Sequence, residues 1–406
     1  MSAILRELLR VSEKAAHIAR ACRQHDALFE LLIEEKKGED KNKKFALDFK
    51  TLADVLVQEV IKRHMEAKFP GLEEKILGEE SNEFTNALGE KIVLRLCPTE
   101  AETAELLSKV LNGNQPAAAA LAKVVHEDVP FADQALDSVQ VAIPQDTMGI
   151  WVDPIDSTHE YIQGCADVEP SHGVFPRGLA CVTILIGVYD LQSGLPLMGV
   201  INQPFVTLDP VTHRWEGRRY WGLSYMGTNV HSPLPPAAER WAGPEAAGGA
   251  RLSAVVSASE REAVRAALAR ACGGRVVRAA GAGYKGLCVV RGLVDLYVFS
   301  QDSTFKWDSC APHAILRAMG GGVASLRACL APGPAPRERP QLLYHRGHPG
   351  ARGVDRWANR GGLVAYRSRP QLEALLSLLA PLLPPGALPA PEDPPEDQPA
   401  PVGARA

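Results

Sequence analysis

At residue 149 the patterning of the chain changes, and that change bounds the fold more tightly than any other feature. Upstream, apolar residues recur at helical spacing. MSAILRELLRVSEKAAHIARACRQ carries Ile4, Leu5, Leu8, Leu9, Ala15, Ile18, Ala19 and Cys22 on one face; TLADVLVQEVIKRHMEAKF (51–69) stops before Pro70-Gly71, and TEAETAELLSKVLNG repeats the pattern. Downstream, WVD, GLACVTILIGVYD (178–190) and LPLMGVINQP (195–204) are apolar strands, the last two joined by a Gln192-Ser193-Gly194 turn. RYWGLSYMG (219–227) and LSAVVSAS (252–259) extend the β pattern. Helices in REAVRAALARAC, in AGYKGLCVVRGL and from Trp307 to the glycines 320–322 then alternate with strands in VDLYVFS (294–300) and LVAYRS (363–368). A helical first third feeding a mixed body is an α/β chain. At 406 residues it needs one large body or two subdomains sharing an interface.

Between these elements the first helix is expected to continue through Ile33, and EEKKGEDKNKKF (34–45) reads as a mobile, solvated connector. Residues 82–148 hold one helix and a loose polar remainder that reads as an insertion. SPLPPAAERWAGPEAAGG (232–249) and the Pro-rich stretch 384–406 are expected to be disordered.

Composition removes several classes of function. A net charge of −4 provides no basic field for nucleic acid or an acidic membrane. No segment has the apolar length to span a bilayer, and the charged N-terminal helix lacks the uninterrupted apolar run of a signal peptide. The eight cysteines are scattered without a CxxC pair, which suits reduced thiols and a cytoplasmic protein.

WVDPIDSTHE (151–160) crowds two carboxylates, Asp153 and Asp156, and two hydroxyls, Ser157 and Thr158, into one corner. Pro154 lacks a ladder donor, so the chain is expected to turn there and let the carboxylates converge. Two like charges in a dry corner either raise one pKa or hold a hard cation. Taken alone the corner is equally an Asx-capped turn. LGEES sets Glu79 beside Glu80 after an apolar pair, as either a strand end or a solvated loop. Asp54 completes a capping box with Thr51 as N-cap, and Asp308 follows Trp307 at a helix start.

In order, Asp54, Glu79-Glu80, Asp153-Pro-Ile-Asp156-Ser-Thr158 and Trp307-Asp308 with a glycine run behind it resemble the signature of one superfamily. This is the lithium-sensitive, magnesium-dependent phosphomonoesterases, which include inositol monophosphatase, fructose 1,6-bisphosphatase and the 3′-nucleotidases of bisphosphate nucleosides. The chain is similar, to about residue 380, to the branch of inositol polyphosphate 1-phosphatases, through FPGLEEKILGEESNEFTN, CVTILIGVYDLQSGLPLMGVINQPF, AAGAGYKGLCVV and STFKWDSCAPHAILRAMGGG among other stretches.

The resemblance implies an αβαβα sandwich of mixed sheets and paired helices. Residues 1–228 would carry most metal ligands, and 252–380 would add Asp308 and the substrate contacts. By likeness, Glu79, Asp153 and the Ile155 carbonyl hold one Mg²⁺, and Asp153, Asp156 and Asp308 hold a second at the site where Li⁺ inhibits. Asp54 and Glu80 sit in or beside the cluster, with room for a third ion. Thr158 and Glu79, with Asp54 near, would serve catalysis; Asp156, Ser157 and Thr158 would meet phosphate. Ser259, Arg261, Gly281, Ala282 and Lys285 would contact the inositol and its second phosphate, with Arg261 standing where the branch leads one to expect lysine. The implied activity is removal of the 1-phosphate from inositol 1,4-bisphosphate and inositol 1,3,4-trisphosphate by a monomer. The alternatives are a nucleotidase of adenosine bisphosphates, which would share every metal ligand, and a non-catalytic metal or phosphoinositol binder.

Overall fold

The computed structural model describes residues 3–24, 33–43, 48–86, 88–235, 252–331, 339–384 and 386–388. Its helices are α1 (Ala3–Arg23), α2 (Leu52–Lys68), α3 (Glu100–Val110), α4 (Gln115–His126), α5 (Thr158–Gln163), α6 (Glu262–Ala271), α7 (Ala282–Val290), α8 (Lys306–Ala318), α9 (Leu326–Leu330) and α10 (Arg369–Leu379). The strands of the first half are β1 (Ile33–Glu35), β2 (Phe49–Thr51), β3 (Ile76–Gly78), β4 (Glu83–Thr85), β5 (Lys91–Val93), β6 (Met148–Asp156), β7 (Thr183–Asp190), β8 (Pro196–Leu208), β9 (Trp215–Tyr225) and β10 (Thr228–His231). Those of the second are β11 (Ala254–Val256), β12 (Val276–Arg278), β13 (Leu296–Phe299), β14 (Gly322–Ser325) and β15 (Leu363–Tyr366).

Two mixed sheets organise the chain. The first runs β10-β9-β8-β7-β6-β3, antiparallel except for the parallel β3–β6 pair; the second runs β12-β11-β13-β15-β14 and is parallel only around β11. Alternation along each strand sends successive side chains to opposite faces. On β7, Ile184 and Ile186 join α1 and α2 in one core, while Leu185 joins Tyr284 of α7 and Ile315 of α8 in the next. On β13, Tyr297 faces that same middle core, and Leu296 and Val298 turn outward beneath α6 and α10. The outcome is the expected αβαβα sandwich, with α7 and α8 as its middle layer.

A row of glycines seats α8. Gly187, Gly199 and Gly222 stand side by side on β7, β8 and β9. A Cβ at Gly187 would lie 2.6 Å from the Cys310 side chain, one at Gly199 2.2 Å from the Ala311 carbonyl oxygen, and one at Gly222 2.7 Å from the Ile315 Cα. The helix backbone therefore rests directly on the sheet, and the depth of that contact fixes where the helix begins.

Several expectations are corrected. The first helix ends at Arg23, and Ile33 belongs to β1, which pairs antiparallel with β2; 25–32 lie outside the described residues. Of the charged run 34–45, Glu34 and Glu35 are in that strand and Lys36 is 3% exposed, because pairing with β2 turns it onto acids that arrive later in the chain; 44 and 45 lie outside the described residues. The remainder of 82–148 contains a second helix, α4, Ala-rich and packed through Ala118, Leu121 and Val125. Pro154 does not end its strand: β6 continues to Asp156 through a bulge. Within the Pro-rich tail Ala387 packs against the α6–α10 core, and 389–406, like 236–249 of the Pro/Ala-rich loop, lie outside the described residues. Among the described residues no helix is long and apolar enough to cross a membrane.

Candidate functional site

The bulge in β6 builds the floor of the site. Asp153 pairs with Leu185 and Asp156 with Thr183, so three steps on β6 match two on β7. In a regular strand, residues three apart face opposite sides; the extra residue restores Asp153 and Asp156 to one side. A bulge is also where Pro154 forfeits no ladder bond. Asp308, at the start of α8, completes a triad: one carboxylate oxygen from each of Asp153, Asp156 and Asp308 lies within 4.8 Å of the others. Above them opens a cleft of about 550 Å³.

Three helix N-termini point at these acids. Asp54 closes a capping box on α2, its Oδ2 accepting from the Thr51 amide and hydroxyl, both at 2.7 Å. Asp308 accepts the Phe305 amide ahead of α8. Asp156 receives the first amides of α7, Ala282 at 3.1 Å, Gly283 at 3.0 Å and Tyr284 at 3.4 Å, together with the Thr183 hydroxyl at 3.0 Å. Each carboxylate meets the positive end of a helix dipole. The amides expected to greet a substrate phosphate at Ala282 are thus already given to Asp156.

Glu79 and Glu80 enter from β3, and Lys36 sits between them. Its Nζ is 2.7 Å from Glu79 Oε1 and 2.6 Å from Glu80 Oε1. Glu79 lines the cleft, whereas the Glu80 side chain is enclosed. Gln58, one turn beyond Asp54 on α2, exchanges two hydrogen bonds with the Glu80 backbone and holds the acidic pair in place. Burial works to lower the Lys36 pKa, but Glu79, Glu80 and Asp48 outweigh it and raise it well above its ordinary value.

The acids are not at ease in the absence of further positive charge. Burial raises Asp54 to about 7 against its bonds from Thr51, and raises Glu80 to about 8 against the pull of Lys36. Asp153 is pushed well above the carboxylate range by burial, then by Glu79, Asp156 and Asp308. Asp308 is pushed up by burial and then by Asp156 and Glu79. Asp156 is raised by burial, opposed by Lys285 and its hydrogen bonds. Asp54 Oδ1 and Asp153 Oδ1 are buried with no hydrogen-bond partner. Orphaned carboxylate oxygens in an oxygen-only donor set fit a hard divalent cation of the Mg²⁺ type.

The cleft gathers Glu79, Asp153, Asp156, Ser157, Thr158, Ser259, Gly281, Ala282, Lys285 and Asp308. Ser157 is held in the left-handed region at φ 73°, a strained conformation for a residue other than glycine, and lines the cleft. The Thr158 hydroxyl donates to the Ile155 carbonyl at 3.1 Å. The Lys285 ammonium is bound to the carbonyls of Gly281 at 2.7 Å and Ala279 at 3.3 Å. Asp54, Glu80 and Ile155 lie behind the lining, and Arg261 is directed elsewhere, to the Ala387 carbonyl at 3.1 Å.

Lys36, Gln58 and Asn359 escaped the sequence reading. The Asn359 Nδ2 donates to the Phe305 carbonyl at 2.7 Å, the Ser309 hydroxyl at 3.1 Å and the Thr304 hydroxyl at 3.3 Å, and so fastens the loop that launches Asp308. No local pattern marks any of the three.

A sequence model described as the inositol monophosphatase family matches residues 74–369. The inositol polyphosphate 1-phosphatase of Homo sapiens is 66% identical over 394 residues, and that of Bos taurus 65% over 397; each alignment covers 95% of this chain and 99% of the relative. The 3'(2'),5'-bisphosphate nucleotidase 1 of Rattus norvegicus is 28% identical over 281 residues, 69% of this chain and 72% of that protein.

Proposed function

Since the chain belongs to the inositol monophosphatase family and is a phosphoric monoester hydrolase, we propose that it is a magnesium-dependent, lithium-inhibited enzyme that removes the 1-phosphate from inositol 1,4-bisphosphate and inositol 1,3,4-trisphosphate, as a monomer in the cytoplasm. The observation that carries the chemistry is the Asp153–Asp156–Asp308 triad on the floor of the cleft. The substrate class follows the names of the relatives that are 65% and 66% identical over nearly their whole length.

Asp153 with Glu79 and the Ile155 carbonyl would hold one Mg²⁺, and Asp153 with Asp156 and Asp308 a second, the position assigned to inhibitory Li⁺. Asp54 and Glu80 stand beside them and leave room for a third. When bound, the cations supply Lewis acidity to the phosphoryl and leaving oxygens and make water acidic at neutral pH.

The protein's own groups do the rest. The Thr158 hydroxyl spends its proton on the Ile155 carbonyl, so its oxygen is left to accept from a water in the cleft and aim it. Glu79, facing the same space, takes the proton as general base. Lys36 keeps Glu79 in place, and Asp54, fixed by Thr51 at the start of α2, stands behind it. Ser157 offers its hydroxyl to phosphate, and Lys285, fixed by two carbonyls, provides a positive wall at the ring end with Ser259, Gly281 and Ala282. Cys310 takes no part as a nucleophile: burial holds its thiol pKa well above the ordinary value.

Phosphate release from inositol 1,4-bisphosphate and from adenosine 3′,5′-bisphosphate, measured against Mg²⁺ with and without Li⁺, tests the reading. A preference for the nucleotide would make the enzyme a bisphosphate nucleotidase. Undiminished release by Asp153→Asn would refute the role of the triad.

A further inference from the structure

Strands β12, β11 and β13 run parallel, and the segments that leave their carboxyl ends line one end of the cleft. Sites in parallel sheets form at those ends. Ser257 and Ser259 follow β11, Gly281 and Ala282 follow β12, and Ser303 follows β13. The turn with Ser257 and Ser259 comes before α6 begins at Glu262, so the ladder of that helix does not hold it.

Glu260 does. Its side chain stands behind the cleft lining, and the residue is only 4% exposed. One carboxylate oxygen accepts the Ser300 amide at 2.9 Å; the other accepts the Ser300 hydroxyl and the Arg261 amide, the latter at 2.8 Å. The Glu260 amide donates to the Ser257 carbonyl at 3.2 Å, and the Gln301 side chain donates to the Ser259 carbonyl. From the buried Ser300 the chain runs through Ser303, Thr304 and Phe305 of the cleft wall to Asp308. Glu260 therefore fastens the turn at the ring end to the segment that ends at the acidic triad. A buried carboxylate behind a site for an anion opposes binding through its charge, so what it contributes is geometry.

The same two strands carry a second staple of the same chemistry at their other end. Where β11 and β13 begin, Asp295 accepts the Ser253 amide at 2.8 Å and the Ser253 hydroxyl at 2.9 Å. Neither of these residues lines the cleft.

We propose that Glu260 is a positioning residue for substrate: by binding Ser300 it sets the depth at which Ser259 meets the ring end of a bound inositol phosphate. The inference rests on the activity proposed above and adds what fixes its ring-end contact.

The experiment measures KM and kcat for inositol 1,4-bisphosphate, the Mg²⁺ concentration for half-maximal phosphate release, and thermal melting, in the wild type, E260Q, S300A and D295N. Glutamine keeps the size of Glu260 but turns an amide donor onto the donors of Ser300 or Arg261. The expected result for E260Q is a KM raised about tenfold, equal to about 1.4 kcal/mol, with kcat and Mg²⁺ half-saturation within about twofold of wild type. S300A removes one of the three bonds and should raise KM roughly threefold. D295N should lower the melting temperature comparably and leave KM unchanged, a contrast that a merely structural role for Glu260 would not produce. Unchanged KM in E260Q and S300A, or an equal rise in D295N, would overturn the role while leaving the activity intact. If E260Q does not fold, S300A decides alone, and an unchanged KM there overturns the role. Failure of the wild type to release phosphate from inositol 1,4-bisphosphate would refute the activity, and the positioning role with it.

Discussion

Gly199→Ala should loosen magnesium binding without touching a single ligand. The added Cβ would stand 2.2 Å from the Ala311 carbonyl oxygen and 2.9 Å from its carbon, both backbone atoms that no rotamer can move aside. Ordinary contact begins near 3.4 Å, so α8 must rise by about 1.2 Å, the difference between those two distances. Such overpacking costs roughly 1–3 kcal/mol of stability. Asp308 lies three residues from Ala311 on the same helix and is carried with it, away from Asp153 and Asp156. Mg²⁺ requires ligand distances near 2.0–2.1 Å, and disturbing the support of a ligand typically lowers metal affinity about 10- to 100-fold. The Mg²⁺ concentration for half-maximal phosphate release should rise by that factor, with urea unfolding reporting the stability loss. Gly222→Ala, whose Cβ would meet Ile315 one turn further along, should cost comparable stability with a smaller effect on Mg²⁺. Unchanged half-saturation in Gly199→Ala, or equal shifts in the two variants, would refute the reasoning that helix depth sets the site.

Lys36→Gln leaves Glu79 and Glu80 facing each other; breaking a buried ion pair costs about 3–5 kcal/mol, so thermal melting with EDTA should fall sharply and Mg²⁺ should recover more of it than in wild type. The pH dependence of the metal-free protein follows from Asp54 and Glu80, whose folded pKa values of about 7 and about 8 exceed the unfolded references of 3.8 and 4.5. An acid whose pKa is raised on folding binds its proton more tightly in the native state, so stability declines as pH rises from the unfolded to the folded pKa. Melting in EDTA should therefore drop between about pH 4.5 and 8, and a flat profile would refute the assignment. Asn359→Ala removes three bonds from the loop before Asp308; kcat should fall about tenfold while KM moves little, and an intact kcat would remove Asn359 from the positioning of that acid.

What could be read from sequence was what is local in it. The capping box at Thr51 and Asp54 spans three residues, and the helix launched at Asp308 announces itself by its spacing and its terminal glycines. The corner at Asp153 and Asp156 was legible as a place where two carboxylates meet, but not as a bulge, because a bulge exists only relative to the register of β7. Lys36 was hidden among charges that look solvated in any local window; its burial comes from Glu79 and Glu80, more than forty residues later. The glycine row is spread over thirty-five residues and becomes a row only when three strands are aligned. Helix α4 was missed because its buried face, Ala118, Leu121, Ala122 and Val125, is set in a run of alanines that blurs the helical period.

Asp54, Asp156 and Asp308 each complete the start of a helix as well as the acidic cluster. Truncating any of them removes a prospective metal ligand and frays α2, α7 or α8 in the same stroke. The usual reading of an Asp→Ala variant, activity lost at constant structure, does not apply here: part of the loss is helix uncoiling at the mouth of the cleft. Asparagine, which still accepts amide bonds through its Oδ1, separates the two contributions, and the gap between the Asn and Ala variants measures how much of the catalytic centre is scaffold.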